Sequence, residues 1–202
     1  MKILWHSNAP WAGTGYGNQT FLFTQLLMKA GHEVIVSAFY GLEGAVLRIG
    51  GMTVVGRGKD LYGNDVLPAH LAFYQPDVTI GLLDIWVMNP EMLATLDNYW
   101  HWCPIDHNPT PPSTIAGIKA IGGRVIAMSR FGERLLKDEG FDPLYIPHGV
   151  DTDVLRPLPM NEAREKMRLP QDAFVVGMVM ANKGAPSRKA FDQQIRAFAQ
   201  FA

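Results

Sequence analysis

The stretch Ala12-Gly13-Thr14-Gly15-Tyr16-Gly17 places glycines at alternate positions between a short apolar run and a helical pattern. Backbone N–H groups in such a loop, at the mouth of a helix, attract anions and let a ligand approach the main chain. Two details argue against a dinucleotide fingerprint. About seven residues separate Trp5 from Gly13, whereas that fingerprint turns almost directly off its strand. No acid closes the second apolar run, where Ser37-Ala38-Phe39-Tyr40 stands. A turn that holds no ligand is the competing reading. A second candidate is Trp102-Cys103-Pro104-Ile105-Asp106-His107-Asn108-Pro109. A carboxylate beside an imidazole, stiffened by prolines, suits the orienting of hydroxyls or the relay of a proton. The same residues also suit a helix-entry turn in which Asp106 accepts from backbone N–H groups. The 6 histidines are scattered without ligand spacing, so no metal site is expected.

Two further segments are polar and rigid. One runs from Val125 to Pro157 and contains Pro147-His148-Gly149-Val150-Asp151. The other joins Asn182 and Lys183 to Ser187-Arg188-Lys189. Arginine offers a fork to phosphate oxygens, lysine a point charge, and a helix N-terminus beside them a partial positive charge. A solvated helix start is the alternative.

Short apolar runs alternate with helical stretches and position these segments. Strands are predicted at Ile3–Trp5, Val34–Val36, Met52–Val55, Val78–Leu83, Tyr99–Cys103, Val125–Met128 and Leu144–Ile146. Helices are predicted over Gly17–Ala30, with Phe23, Leu26, Leu27 and Ala30 on one face, and over Val66–Tyr74 and Ser113–Ile121. Asn89-Pro90-Glu91 starts another, and Ser129 caps one that stops at Gly140. Strands separated by helices imply a doubly wound, Rossmann-like parallel sheet with helices on both faces. Ligands bind such sheets outside the carboxyl ends of the strands, so every candidate loop belongs to one edge.

This α/β domain is expected over residues 1–155. Residues 156–172, proline-rich with a short charged helix over Asn161–Arg168, read as an interdomain linker. Residues 173–202 read as the first strand, Phe174–Met180, and first helix, capped by Ser187, of a truncated second domain. A strand edge and an apolar helix face left uncovered there would favour a homodimer.

A net charge of −1, from 18 basic and 19 acidic residues, excludes broad attraction to nucleic acid or anionic lipid. No apolar run approaches the roughly 20 residues of a membrane span, and the N-terminus lacks a signal pattern. The single cysteine, Cys103, allows no internal disulfide. A cytoplasmic location is therefore expected.

The order strand, Ser129, helix ending at Gly140, short strand, Pro147-His148-Gly149-Val150-Asp151 and Pro157 resembles the end of the first domain in retaining GT-B glycosyltransferases (group 1, family 4-like). Val176 to Gly184, with Ser187-Arg188-Lys189 and Ala197-Phe198, is similar to the opening of their second domain. The resemblance spans nearly the whole chain. It implies transfer of a sugar from a nucleoside-diphosphate sugar to a hydroxyl of a glycan, lipid or small molecule, with retention and without a metal or other cofactor. It casts Asp106 and His107 as orienting hydroxyls, and Gly13, Gly15, Tyr16, His148, Gly149 and Asp151 as substrate-binding. Asn182, Lys183, Arg188 and Lys189 would bind the donor diphosphate. His148 stands where many members carry asparagine, and Ala181 where arginine is common. Asp151-Thr152-Asp153 spells the metal motif of the GT-A fold by coincidence. The family's later paired glutamates have no counterpart, so the chain alone is expected to be inactive. A GT-B-fold sugar-nucleotide epimerase and a noncatalytic carbohydrate-binding module are the rival readings.

Overall fold

The computed structural model describes every residue except 182, 183 and 185. Its first half holds β1 (Lys2–Asn8), α1 (Gly15–Lys29), β2 (Glu33–Glu43), β3 (Val46–Ile49), β4 (Met52–Arg57) and α2 (Leu67–Tyr74). Then follow β5 (Val78–Leu82), α3 (Pro90–Leu93), β6 (Tyr99–Cys103), α4 (Pro112–Ala120), β7 (Val125–Ala127), α5 (Arg130–Asp138) and β8 (Leu144–Tyr145). These elements belong to a unit spanning Met1–Leu155, and Arg156–Ala202 forms a second unit.

Eight strands form one sheet in the order β3-β4-β2-β1-β5-β6-β7-β8. All neighbours pair in parallel except β3 with β4. The α/β, Rossmann-like class expected from the alternation is thus what the chain adopts. From β1 the chain first moves to β2 and β4, then returns to β5 and moves the other way. With right-handed crossovers that reversal puts helices on opposite faces. Phe23, Leu27 and Met28 of α1 accordingly pack with Trp5, Val36, Val54 and Trp102 on one face. Leu71, Met92, Ile118, Leu135 and Leu136, from α2 to α5, pack with Leu4, Ile35, Cys103 and Ala127 on the other.

Three details depart from the sequence reading. The helix α1 is buried through Gly17, Thr20 and Thr24, while Leu26 and Ala30 of the expected face are exposed. Small residues let the helix sit close to the sheet, where Trp5 Nε1 donates to Thr20 Oγ1 at 3.1 Å. Second, the strand β3 went unpredicted. It pairs antiparallel with β4 through a turn at Gly50 and Gly51, whose φ of 57° and 86° suit glycine. Third, Phe174–Met180 is not a strand, because the second unit holds no other strand among its described residues to complete a ladder. Val179 is fully exposed.

That second unit contains α6 (Met160–Lys166) and α7 (Phe191–Phe201). Residues 156–172 are part of it rather than a bare linker: Arg164 Nη1 donates to Pro170 O and Ala173 O at 2.5 and 2.9 Å. Ser187 does not cap α7. The cap position is Ala190, with φ of 53°, and Ser187 closes a turn by accepting Ala190 N at 2.9 Å.

Two buried histidines stitch the parallel strands. Neutral His6 donates from Nε2 to Tyr62 O and accepts Ser37 Oγ at Nδ1, each at 3.0 Å, and His70 Nδ1 donates to Ser37 Oγ at 2.9 Å. His101 donates from Nε2 to Leu83 O at 2.8 Å and accepts the Tyr99 hydroxyl at 3.0 Å. Burial lowers both rings from 6.5 to about 4. The folded chain therefore binds fewer protons than the unfolded chain between those values. Unfolding at pH 5 should take up about two protons at this pair, and stability should fall as pH is lowered from 6.5 to about 4, by up to roughly 1.4 kcal/mol per pH unit for each ring. Calorimetry in buffers of different ionisation enthalpy measures that uptake, and uptake near zero would show the rings already charged in the fold.

Candidate functional site

Parallel pairing brings the carboxyl ends of β1, β5, β6, β7 and β8 to one edge: His6 lies level with Gly81, Leu82 with Trp102, Cys103 with Ala127, and Ala127 with Tyr145. Beyond them come Asn8 and the glycine loop, Asp84, Asp106 with His107, Ser129, and the segment from Ile146 to Gly149. The reversal of strand order falls between β1 and β5, where adjacent connections leave on opposite faces and open a crevice.

The glycine loop is held from below. Thr14 caps α1, accepting Gly17 N at 3.0 Å and Asn8 Nδ2 at 2.6 Å through Oγ1. Trp11 Nε1 donates to Gly41 O at 3.0 Å. The glycines divide into two kinds. A side chain at Gly17 would collide with the Ala12 carbonyl, so this glycine serves packing. At Gly13 and Gly15 a Cβ would meet nothing within 4 Å, and neither backbone needs positive φ. The fold does not demand glycine there, whereas a ligand on the backbone would. The N–H groups of Gly13, Gly15 and Tyr16 donate to no acceptor among the described residues.

Asp106 and His107 pair directly, with Oδ1 to Nδ1 at 2.5 Å, and both side chains are largely exposed. No backbone N–H of a described residue donates to the Asp106 carboxylate, so the alternative helix-entry turn is not formed. Sequence reading passed over the neighbouring Asp84. Its carboxylate is half-buried at the end of β5 and accepts from no described residue. Burial, and then the Asp106 charge, raise it above the ordinary carboxylate range. Tyr16 is half-buried beside them; burial first, then Asp84, Cys103 and Asp106, keep its phenol protonated. Cys103 is buried, and its thiol is pushed up by burial and then by Asp84 and Asp106, which disfavours the thiolate.

The segment after β8 closes over α1. Gln19 mimics a strand partner: Nε2 donates to Gly149 O and Oε1 accepts Gly149 N, both at 2.9 Å. Trp102 Nε1 donates to Ile146 O at 2.8 Å, and the His148 ring meets Trp102 edge-on at 4.8 Å. Partial burial lowers His148. Asp151 points to its own turn, accepting Asp153 N at 3.0 Å. Among the described residues no group of three or more His, Cys, Asp and Glu is placed to hold a metal ion.

The chain matches no protein-family model and no curated protein. Of the expected site residues, Gly13, Gly15, Tyr16, Asp106, His107, His148 and Gly149 share the carboxyl edge of the first unit. Arg188 and Lys189 belong to the second, exposed in a turn that precedes α7. Asn182 and Lys183 lie outside the described residues. No described helix is long and apolar enough to cross a membrane.

The two kinds of glycine separate experimentally. Gly17→Ala should cost about 2 kcal/mol or more in denaturant unfolding, because backbone must shift. Gly13→Ala and Gly15→Ala should stay within about 0.5 kcal/mol of the parent. Equal losses at all of them would mean that the whole loop is structural.

Proposed function

We propose that the chain carries the acceptor-side wall of a retaining GT-B glycosyltransferase, which moves a sugar from a nucleoside-diphosphate sugar to a hydroxyl. The observation that carries this reading is the gathering, at one switch-point edge, of an open glycine loop with unengaged N–H groups, the Asp106–His107 pair and the clamped His148-Gly149 segment. The motifs before and after Pro147 support it by their order.

In this reading the acceptor lies against the loop, and Asp106 with His107 orients its hydroxyl. Arg188 and Lys189 bind the donor diphosphate, where charge grows as the bond to the sugar breaks. Catalysis is then chiefly electrostatic: positive groups stabilise the departing diphosphate, and carboxylates the oxocarbenium-like carbon. The acceptor oxygen bonds the anomeric carbon on the face from which the diphosphate leaves, and the hydroxyl proton passes to the departing phosphate oxygen.

Because the chain alone is expected to turn over no donor, binding is the test: millimolar nucleoside diphosphate should shift the amides of Arg188 and Lys189, and a hydroxyl acceptor those of Gly13, Gly15 and Asp106, by NMR. Asp106→Asn should weaken acceptor binding, and the paired change Arg188→Ala, Lys189→Ala diphosphate binding, by roughly tenfold or more. No shift with any nucleoside diphosphate would overturn the proposal. Conversion of the donor sugar with no acceptor present would assign epimerisation instead.

A further inference from the structure

The edge of the sheet between β1 and β5 holds an imbalance of hydrogen-bonding groups. Asn8 is 6% exposed; its Nδ2 is engaged by Thr14, but its Oδ1 accepts from no described residue. A buried acceptor left without a donor costs on the order of 1–3 kcal/mol, so its retention calls for a donor from elsewhere. Two residues past the end of the adjacent strand β5, the half-buried Asp84 carboxylate is likewise without a donor among the described residues. The Tyr16 hydroxyl, close enough to feel both Asp84 and Asp106, makes no hydrogen bond to a described residue either.

We propose that Asn8 and Asp84 form the accepting side of a subsite for an uncharged vicinal diol, such as one face of a hexose, and that Asp84 turns anionic groups away. A diol donates one hydroxyl to each acceptor and offers its own lone pairs to the Tyr16 hydroxyl and to the free N–H groups of Gly13 and Gly15. A phosphate or carboxylate in the same place would face Asp84 and Asp106 together. The His107 imidazole is already held by Asp106. The elevated Asp84 carboxyl fits a site built for donors, since hydroxyls bound to the carboxylate supply the stabilisation it lacks when empty. The identification of this diol as the acceptor rests on the glycosyltransferase reading; the subsite itself rests on the unpaired groups.

NMR titration of the chain with methyl α-glucoside, and with its anionic counterpart methyl α-glucuronide, tests the assignment. At millimolar concentrations the glucoside should shift the amides of Asn8, Tyr16 and Asp84, with the glucuronide binding at least about tenfold more weakly. Asp84→Asn should weaken glucoside binding by about tenfold, narrow the gap between the two sugars and leave the melting temperature in place. The wild-type comparison stands without the variant. Equal binding of the two sugars, no shift at these residues, or glucoside binding indifferent to Asp84→Asn would overturn the subsite. Glucoside binding without any nucleoside-diphosphate binding would sink the transferase reading while keeping this one, and diphosphate binding with no glucoside shift would do the reverse.

Discussion

Right-handed crossover between parallel strands governs nearly everything in this unit. A chain that begins in the middle of its sheet and must cross always in one sense has to put its first helix on one face and its later helices on the other. The two hydrophobic clusters record that allocation: α1 alone covers the Trp5 face, and α2 to α5 cover the Leu4 face. The lone helix leaves part of its face to be covered by the segment after β8, which explains why Gln19 and Trp102 hold Gly149, Ile146 and His148 of that segment so closely. The crevice at the carboxyl ends is a by-product of the same rule.

Polar groups inside the sheet are handled in two opposite ways. His6, Ser37, His70, Tyr99 and His101 are satisfied in closed chains of hydrogen bonds, with each donor fixed by the need to serve a carbonyl. Gly81 belongs to this arrangement, since a side chain there would collide with the Tyr99 hydroxyl. One step further along the strands the pattern inverts. Asn8 and Asp84 are left short of donors. Inside the sheet these groups are paired, whereas the two at its carboxyl edge have no donor among the described residues.

Most of this fold could be read from local pattern. Seven of the eight strands announce themselves as short apolar runs, and Asn89 and Ser129 cap their helices as their types suggest. The strand β3 was hidden because Val46-Leu47-Arg48-Ile49 does not alternate and is exposed throughout; the Gly50-Gly51 pair was its only signal. Phe174–Met180 misled for the opposite reason. Its residues prefer a strand, but a strand exists only with a partner. In the site, the glycine loop and the Asp106-His107 pair were visible as motifs. Asn8, Gln19 and Asp84 were not, because each acquires its role from residues far off in sequence: Gln19 meets Gly149 across 130 positions. A charged residue directly after the buried run Val78–Leu83 was the available hint for Asp84.

The central place of β1 also sets an order of assembly. Its partner β2 follows directly after α1, but its other edge waits for β5, and Ser7 reaches Leu82 only across 75 positions. Closing so long a loop is slow relative to local pairing. As the chain emerges from the ribosome, an apolar strand containing Ile3, Leu4 and Trp5 therefore stands with one side unpaired until residues beyond Leu82 appear. During that interval the edge of β1 that β5 will cover is open to other partners.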